Sequence, residues 1–300
     1  MKTHSLVSSL RSAAIGVPDI TGVESFFTNT WKLQISARTP QATYLRGTSD
    51  AHHILSLHPS RQPEIHSITF CVRSGSDLEK IATATPANGG VVLVGPGAID
   101  EPGGGVGLTI RDPQNRILRF VHEDERLPDL GRIPDCPVGL THVNLNSSNV
   151  AVAQCFFEHV LGFTLSDRSR EHAFIRCNAD HHSIVLADYG VNGLNHIAFL
   201  MPDIESVMRG SGRVIDAGYP IAWGVGRHGP GNNVFAYFIG PFGFIIEYTA
   251  EILQVDDSYI ARGPEDWSWP PGRADQWGIA TLPSKSLKEA QRAIFFAEGD

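Results

Sequence analysis

Residues 139–162 read GLTHVNLNSSNVAVAQCFFEHVLG, a stretch in which a strand pattern passes directly into a helix pattern. Polar and apolar side chains largely alternate from Thr141 to Asn146, which predicts a strand. The next apolar side chains recur at the spacing i, i+3, i+4 and i+8, which predicts a helix from about Val150 to Leu161. Gly162 is expected to end this helix. Its start can be capped by Ser147, Ser148 or Asn149.

The same pattern occurs a second time in the chain. Aligning residues 139–252 on residues 10–124 superimposes the helix stripe of Val152, Cys155, Phe156 and Val160 on Val23, Phe26, Phe27 and Trp31. The pair His181-His182 falls on His52-His53, and the segment 240–247 falls on 112–119. Self-similarity at a fixed offset indicates a duplicated structural unit. We therefore predict two copies of one scaffold.

Strand and helix patterns continue through the second copy. Strands are predicted at Ala173–Cys177, His182–Ala187 and His196–Met201, and a helix at about Ile204–Ala217. Two final strands are predicted at 233–239 and 244–249. Each copy thus contains two units of strand, helix and further strands, which would bury their helices on one face of a curved sheet and leave the other face for a pocket.

Three residues in predicted strands form a candidate metal site in the second copy only. His142, His196 and Glu247 are separated by 54 and 51 residues. Two imidazoles and one carboxylate on one face of a metal leave the opposite positions open, which is the arrangement of non-haem Fe(II) sites that activate O₂. The sequence alignment places Ala13, Ser67 and Arg119 in the corresponding positions of the first copy, so that copy is predicted to be degenerate.

Length, composition and charge indicate a two-domain protein whose partner is neither a nucleic acid nor an anionic membrane. With 300 residues, 42% of them apolar, the chain is long enough for about two domains of roughly 110 to 120 residues. The formal charge of −8 argues against nucleic acid or an anionic membrane as a partner. The start of the chain lacks the apolar core of a signal peptide, and the four cysteines form no CxxC pair, so we expect a cytoplasmic protein.

Two segments lie outside the repeat. Residues 123–137 are charged and rich in proline, as expected of a linker. The tail from Ile252 carries Trp267, Trp269 and Trp277, and this aromatic surface must be buried over the mouth of the barrel or on another subunit. Residues 284–296 are predicted to form a terminal helix capped by Ser284 or Ser286.

The segments Gly139–Leu145, Leu194–Phe199 and Gly243–Tyr248, within the duplicated scaffold, resemble the vicinal oxygen chelate superfamily. The two-domain type I extradiol catechol dioxygenases resemble the chain best, from about residue 7 to 252. The resemblance implies an α+β fold of two tandem domains, each of paired βαβββ modules forming an open barrel-like curved sheet. The expected divisions are a degenerate domain at 1–122, a catalytic domain at 139–252 and a tail at 253–300.

The resemblance also implies roles for site residues. His142, His196 and Glu247 would hold Fe(II), or alternatively Mn(II), and a catechol-type aromatic diol would be cleaved beside its hydroxyls with O₂. His182 would be the acid–base residue, although the neighbouring His181 is an alternative. Tyr237 would hydrogen-bond a substrate oxygen and His228 would reach the other one. The chain departs from the family where Gly229-Pro230-Gly231 follows His228, in place of polar or acidic residues.

Other functions compete with this interpretation. An isomerase of the glyoxalase type uses the same modules but typically takes its ligands from both copies. A relative of 4-hydroxyphenylpyruvate dioxygenase would share the ligand set but is usually longer. A non-catalytic protein that sequesters a ligand would need no metal. We expect a homo-oligomer; the sequence leaves open the substituents of the substrate, its cleavage position and the choice between Fe and Mn.

Overall fold

The computed structural model describes residues 5–298, which form two eight-stranded mixed sheets. The strands of the first sheet are β1 (Val7–Val17), β2 (Gln34–Thr39), β3 (Ala42–Arg46), β4 (Leu55–Pro59), β5 (Glu64–Val72), β6 (Val91–Ala98), β7 (Val106–Arg111) and β8 (Ile117–His122). Their order across the sheet is β2-β3-β4-β1-β5-β8-β7-β6. The central strands β1 and β5 are antiparallel, and each has a parallel neighbour on its other side.

The second sheet repeats this topology strand for strand. Its strands are β9 (Gly139–Ser147), β10 (Thr164–Arg168), β11 (His172–Arg176), β12 (Ile184–Asp188), β13 (Gly193–Leu200), β14 (Ile221–Arg227), β15 (Val234–Ile239) and β16 (Ile245–Ala250). The order β10-β11-β12-β9-β13-β16-β15-β14 is that of the first sheet. The predicted duplication and α+β class are therefore confirmed.

Five α-helices accompany the sheets within residues 5–298. They are α1 (Ile20–Ser25), α2 (Gly75–Ala87), α3 (Val150–Leu161), α4 (Ile204–Asp216) and α5 (Lys285–Ala290). Helix α3 has the predicted bounds, because Asn149 caps it by accepting from the Val152 amide and Gly162 adopts a left-handed conformation with φ of 76°. Helix α5 begins after Ser284 as predicted but ends earlier than expected, at Ala290. No helix in this part of the chain is long and apolar enough to cross a membrane.

The helices pack on the sheets, and apolar residues of both copies join in one core. Trp31, just after a π-helical turn at Phe26–Thr30, is fully buried and stacks on Tyr248 with ring centroids 3.7 Å apart. The Tyr248 hydroxyl donates to the Trp31 carbonyl at 3.1 Å. Because neighbouring strand residues face opposite sides of a sheet, Tyr248 in this core leaves Glu247 on the other face.

The structure corrects two predictions about strands. The edge strands β10 and β14 were not identified from the residues, because TLSDR and the glycine-containing IAWGVGR lack a clear alternation of apolar and polar side chains. The first copy is also shifted by one residue at β1. Ala13 pairs with Ile68 just as Val143 pairs with Ile197, so Ser12, not Ala13, corresponds to His142. Ala13 faces the core, because a slip of one residue exchanges the two faces of a strand.

Candidate metal centre and its cavity

Three neighbouring strands bring the candidate ligands together. His142 on β9 and Glu247 on β16 both pair with Ala198, one from each side of β13. His196 precedes Ala198 by two residues and therefore lies on the same face of β13. The predicted ligands, far apart in sequence, converge because β13 lies between β9 and β16 in the sheet.

Their donor atoms form a small triangle. His142 Nε2 lies 3.1 Å from His196 Nε2 and 3.4 Å from Glu247 Oε2, and His196 Nε2 lies 3.1 Å from the same oxygen. Ligand bonds of about 2.1 Å at right angles would separate neighbouring donors by about 3.0 Å. The observed spacing is therefore that of three donors on one face of a divalent metal.

The burial of the Glu247 carboxylate is also consistent with a cation-binding site. The side chain is fully buried, and neither carboxylate oxygen accepts a well-aligned hydrogen bond from the described residues, although both imidazoles are close to Oε2. Burial raises the pKa of Glu247, but the adjacent imidazoles outweigh that effect and hold it below its usual range. A buried carboxylate without full pairing is costly unless it coordinates a metal, so these residues fit a metal site.

Asn195 orients one of the ligands. Its Oδ1 lies 2.9 Å from His196 Nδ1, which fixes the ring so that Nε2 faces the centre. A bulge between Leu194 and His196 brings the side chains of Asn195 and His196 into contact, although consecutive residues of a regular strand face opposite sides. Asn195 Nδ2 in turn donates to Asn146 Oδ1, and Asn146 Nδ2 donates to the Gln291 carbonyl in the tail. The sequence analysis did not identify this chain of contacts.

Beside the centre, His182 lines the cavity and His181 does not. The rings of His182 and His142 have centroids 4.4 Å apart. Burial is the main cause that lowers the pKa of His182 well below its usual value, and the neighbouring histidines add to it. The lowered pKa keeps this imidazole uncharged near neutral pH, so one of its ring nitrogens carries a free lone pair.

Tyr237 and His228 also line the cavity. Tyr237 pairs directly with Glu247 across β15 and β16, as the hairpin between these strands predicts. Burial and the Glu247 carboxylate raise the pKa of Tyr237 well above 10, so its phenol stays protonated. The Tyr237 hydroxyl lies 3.1 Å from His228 Nε2, and the His228 ring stacks on Phe235. His228 is therefore part of the cavity wall and not an exposed loop residue.

The cavity has a volume of about 360 Å³. Aromatic and apolar side chains form much of its wall, namely Phe174, Val185, Tyr189, Trp223, Trp267 and Trp269. Phe174 and Val185 face the cavity, whereas Ala173, Ile175 and Phe199 face the core. Alternate strand residues face opposite sides, and the sequence did not fix which set faces inward.

The tail closes one side of this cavity. Trp267 and Trp269 contact Gly229, where an added Cβ would lie 2.7 Å from Trp269 ring atoms and 2.8 Å from Trp267 Cε3. Trp267 is held by a 3.0 Å hydrogen bond from its Nε1 to the Arg168 carbonyl and by the Arg262 guanidinium over its ring. The absence of a side chain at Gly229 thus leaves the space in which the tryptophans of the tail pack. Trp267 and Trp269 line the cavity, whereas Trp277 does not and is 38% exposed.

The first copy has other residues at the positions of the candidate ligands. Ser12, Ser67 and Arg119 stand where the second copy has His142, His196 and Glu247. Arg119 pairs with Glu101 at 2.8 Å, and buried Arg11 pairs with Asp124 at 3.1 Å. Among residues 5–298, the one group of donors spaced to hold a metal is His142, His196 and Glu247. Within these residues the first copy presents no equivalent group of donors.

Comparison with known proteins gives consistent results. The family described as Glyoxalase/Bleomycin resistance protein/Dioxygenase superfamily matches residues 139–248. Metapyrocatechase 2 of Cupriavidus necator is 28% identical over 289 residues, covering 89% of this chain and 85% of that protein. The Mn(II)-bound glyoxalase of Novosphingobium aromaticivorans is 32% identical, with a TM-score of 0.88 and 94% of each chain covered. Homoprotocatechuate 2,3-dioxygenase of Brevibacterium fuscum shares the fold, with a TM-score of 0.84 at 21% identity over 96% of this chain and 93% of that one.

Proposed function

Because the chain belongs to the Glyoxalase/Bleomycin resistance protein/Dioxygenase superfamily, we propose that it is an extradiol dioxygenase that inserts both atoms of O₂ into a catechol-type aromatic substrate. The observation that carries this proposal is the donor triangle of His142, His196 and Glu247 at the wall of an aromatic-lined cavity. The similarity to a protein named metapyrocatechase 2 over most of both chains supports it.

In this proposal the three ligands hold Fe(II), with Mn(II) as the alternative. When bound, the metal would supply positive charge that lowers the pKa of a coordinated hydroxyl and open positions at which O₂ and substrate can meet. The catalytic domain would comprise residues 139–252, the degenerate domain residues 1–122 and the tail residues 253–300. We also expect the protein to be a homo-oligomer. We expect it to be cytoplasmic, in agreement with its four free cysteines.

His182 and Tyr237 have different roles in the proton chemistry. His182, a neutral imidazole, accepts the proton that a catechol hydroxyl loses and later returns it to the opening ring. Tyr237, a protonated phenol, donates a hydrogen bond to the oxyanion that remains. If His228 Nε2 donates to the Tyr237 oxygen, the phenol hydrogen is free for the substrate. The tryptophans of the tail exclude water from the ring.

A metal-dependent isomerase is the second candidate, favoured by the 32% identity to a protein named as a Mn(II)-bound glyoxalase. An isomerase of this type typically takes its ligands from both copies, whereas the donor group found among the described residues lies in the second copy alone, which favours the dioxygenase. The two reactions differ in their need for O₂, since an isomerisation consumes none.

The test is anaerobic reconstitution with Fe(II) or Mn(II), followed by addition of air and a panel of monocyclic and bicyclic catechols. We expect one O₂ consumed per catechol and a yellow product. The control His196→Ala should lose metal and turnover together. Metal-dependent turnover of a thiohemiacetal without O₂ would establish the isomerase. Catechol binding without bound metal would indicate a sequestering protein.

A further inference from the structure

A buried carboxylate and a second histidine lie behind His182, away from the cavity. His181 is fully buried, and its Nε2 lies 2.8 Å from Asp167 Oδ2, which is also fully buried. On its other side, His181 Nδ1 lies 3.1 Å from His182 Nδ1. We infer that Asp167 and His181 are positioning residues that fix the tautomer and orientation of His182, an inference that rests on the proposed function.

The direction of each hydrogen bond follows from the carboxylate. An ionised carboxylate only accepts hydrogen bonds, so His181 carries its proton on Nε2 and donates to Asp167. A neutral His181 then has a lone pair on Nδ1, which accepts from His182 Nδ1–H. This leaves the lone pair of His182 on Nε2, the nitrogen that does not face His181. His182 can therefore accept a substrate proton at Nε2 while it keeps its hydrogen bond to His181.

The fold holds Asp167 firmly in this role. Ser166 forms a bulge in the pairing of β10 with β11, which turns the Asp167 side chain inward at an edge strand. Tyr259 donates its hydroxyl to the carboxylate at 3.1 Å, and the Arg262 backbone amide donates at 2.9 Å. Both residues belong to the tail, so the tail supports the carboxylate as well as closing the cavity.

The first copy provides an internal comparison. His52 and His53 repeat the pair, with their Nδ1 atoms 2.9 Å apart. The strand register, however, places Ala37 where the second copy has Asp167. The nitrogen of His53 that corresponds to Nε2 of His182 is in hydrogen-bond contact with the Arg11 guanidinium. In the first copy the nitrogen that corresponds to His181 Nε2 is His52 Nε2, which lies 3.8 Å from the largely exposed Glu125 and so beyond hydrogen-bond distance. The buried, hydrogen-bonded carboxylate therefore occurs only in the copy that has the candidate metal ligands.

The decisive variant is Asp167→Asn. An amide at this position can present its NH₂ group to His181 Nε2 and so reverse the two tautomers, which leaves His182 with a hydrogen on Nε2. A carboxylate that sets the tautomer of a catalytic histidine has this role in the serine-protease triad, where the same substitution costs about 10⁴-fold in kcat. We expect kcat for a catechol to fall by about 10² to 10⁴-fold, with KM and metal affinity changed less than about threefold.

A second series tests His181 itself. His181→Leu removes the acceptor and should lower kcat to a similar degree, whereas Asn in His181→Asn can place Oδ1 near the original Nδ1 and should restore part of the loss. The matched control is His52→Leu, which breaks the duplicate pair and should leave kcat unchanged. If His181→Leu does not fold, Asp167→Asn and His181→Asn still decide the point.

A readout independent of turnover is ¹⁵N NMR of the histidine rings in the Zn(II)-loaded protein. We expect a protonated Nδ1 and an unprotonated Nε2 for His182 in the wild type, and the reverse in Asp167→Asn. A wild-type-like kcat and unchanged ring tautomers in Asp167→Asn would overturn the inference. If instead the wild type consumed no O₂ with any catechol, the proposed function would fail, while the NMR result would still decide the tautomer.

Discussion

Substituting Gly229 by alanine tests whether the tail sets the shape of the cavity. An added Cβ would lie 2.7 Å from Cζ2 and Cη2 of Trp269, about 0.7 Å closer than the 3.4 Å at which ordinary contacts begin. Trp267, whose Cε3 would be 2.8 Å away, is fixed by its bond to the Arg168 carbonyl and by Arg262. Overpacking of this kind costs about 1–3 kcal/mol.

Because the Gly229 loop continues into the two strands that carry Tyr237 and Glu247, we expect the tail to be displaced rather than the loop. An opening cost of about 1–3 kcal/mol corresponds to a loss of about 5- to 150-fold in the affinity for an aromatic substrate. The assays are anaerobic substrate titration of the metal-loaded protein and hydrogen exchange of residues 263–272. Exchange in this segment should accelerate.

Two further variants make the result specific. Trp269→Leu makes room for the new methyl group. The loss of binding free energy in the double variant should therefore be smaller than the sum of the losses in the two single variants, by about 1 kcal/mol or more. Gly212→Ala is the matched control, because nothing lies within 4 Å of its added Cβ in helix α4. If Gly229→Ala matched Gly212→Ala in affinity and exchange, or if the double variant were additive, the tail would not shape the cavity.

Three other predictions follow from single contacts. Asn195→Leu removes the acceptor from His196 Nδ1 and should weaken metal binding by about 10- to 100-fold, measured by competition with a chelator; unchanged affinity would show that this bond does not orient the ligand. Tyr237→Phe removes a hydrogen bond to a charged substrate oxygen, worth about 1.5–3 kcal/mol, and should lower kcat/KM by about 10- to 150-fold while metal content stays constant, as steady-state kinetics and metal analysis would show. Burial lowers the pKa of His58 to about 4. Between about pH 4 and 6.5 the His58 imidazole is therefore protonated in the unfolded chain and neutral in the folded chain. The free energy of unfolding should fall as the pH drops through this window, by on the order of 1–3 kcal/mol from this group. His58→Gln should flatten that part of the pH dependence of urea unfolding, and an unchanged slope would contradict the assignment.

Features that depend on neighbouring residues in the chain were predictable. The stripe of helix α3, its Asn149 cap and its Gly162 end all act within one or two turns, so the sequence alone specified the helix bounds. The duplication was visible because each copy repeats the same local patterns in the same order. The candidate ligands were found because their residue types and strand contexts match one kind of metal chemistry.

Features that depend on the register between paired strands could not be predicted from the sequence. The alignment placed Ala13 opposite His142 where the paired strands place Ser12, since the sequence of one strand does not define which residue its partner meets. Asp167 was missed for a related reason, because a bulge in an edge strand turns it inward and its partner His181 is 14 residues further along.

Local pattern in the chain was thus enough to predict the two copies, helix α3 and the candidate metal donors, because period, caps and residue chemistry are local properties, and the family resemblance implied the α+β class. Tertiary structure alone decided which face of each strand lines the cavity, that Asp167 stands behind His181 and His182, and that the tryptophans of the tail close on Gly229. These contacts join residues far apart in the chain, and only the strand pairing and the packing of the tail bring them within a few ångströms.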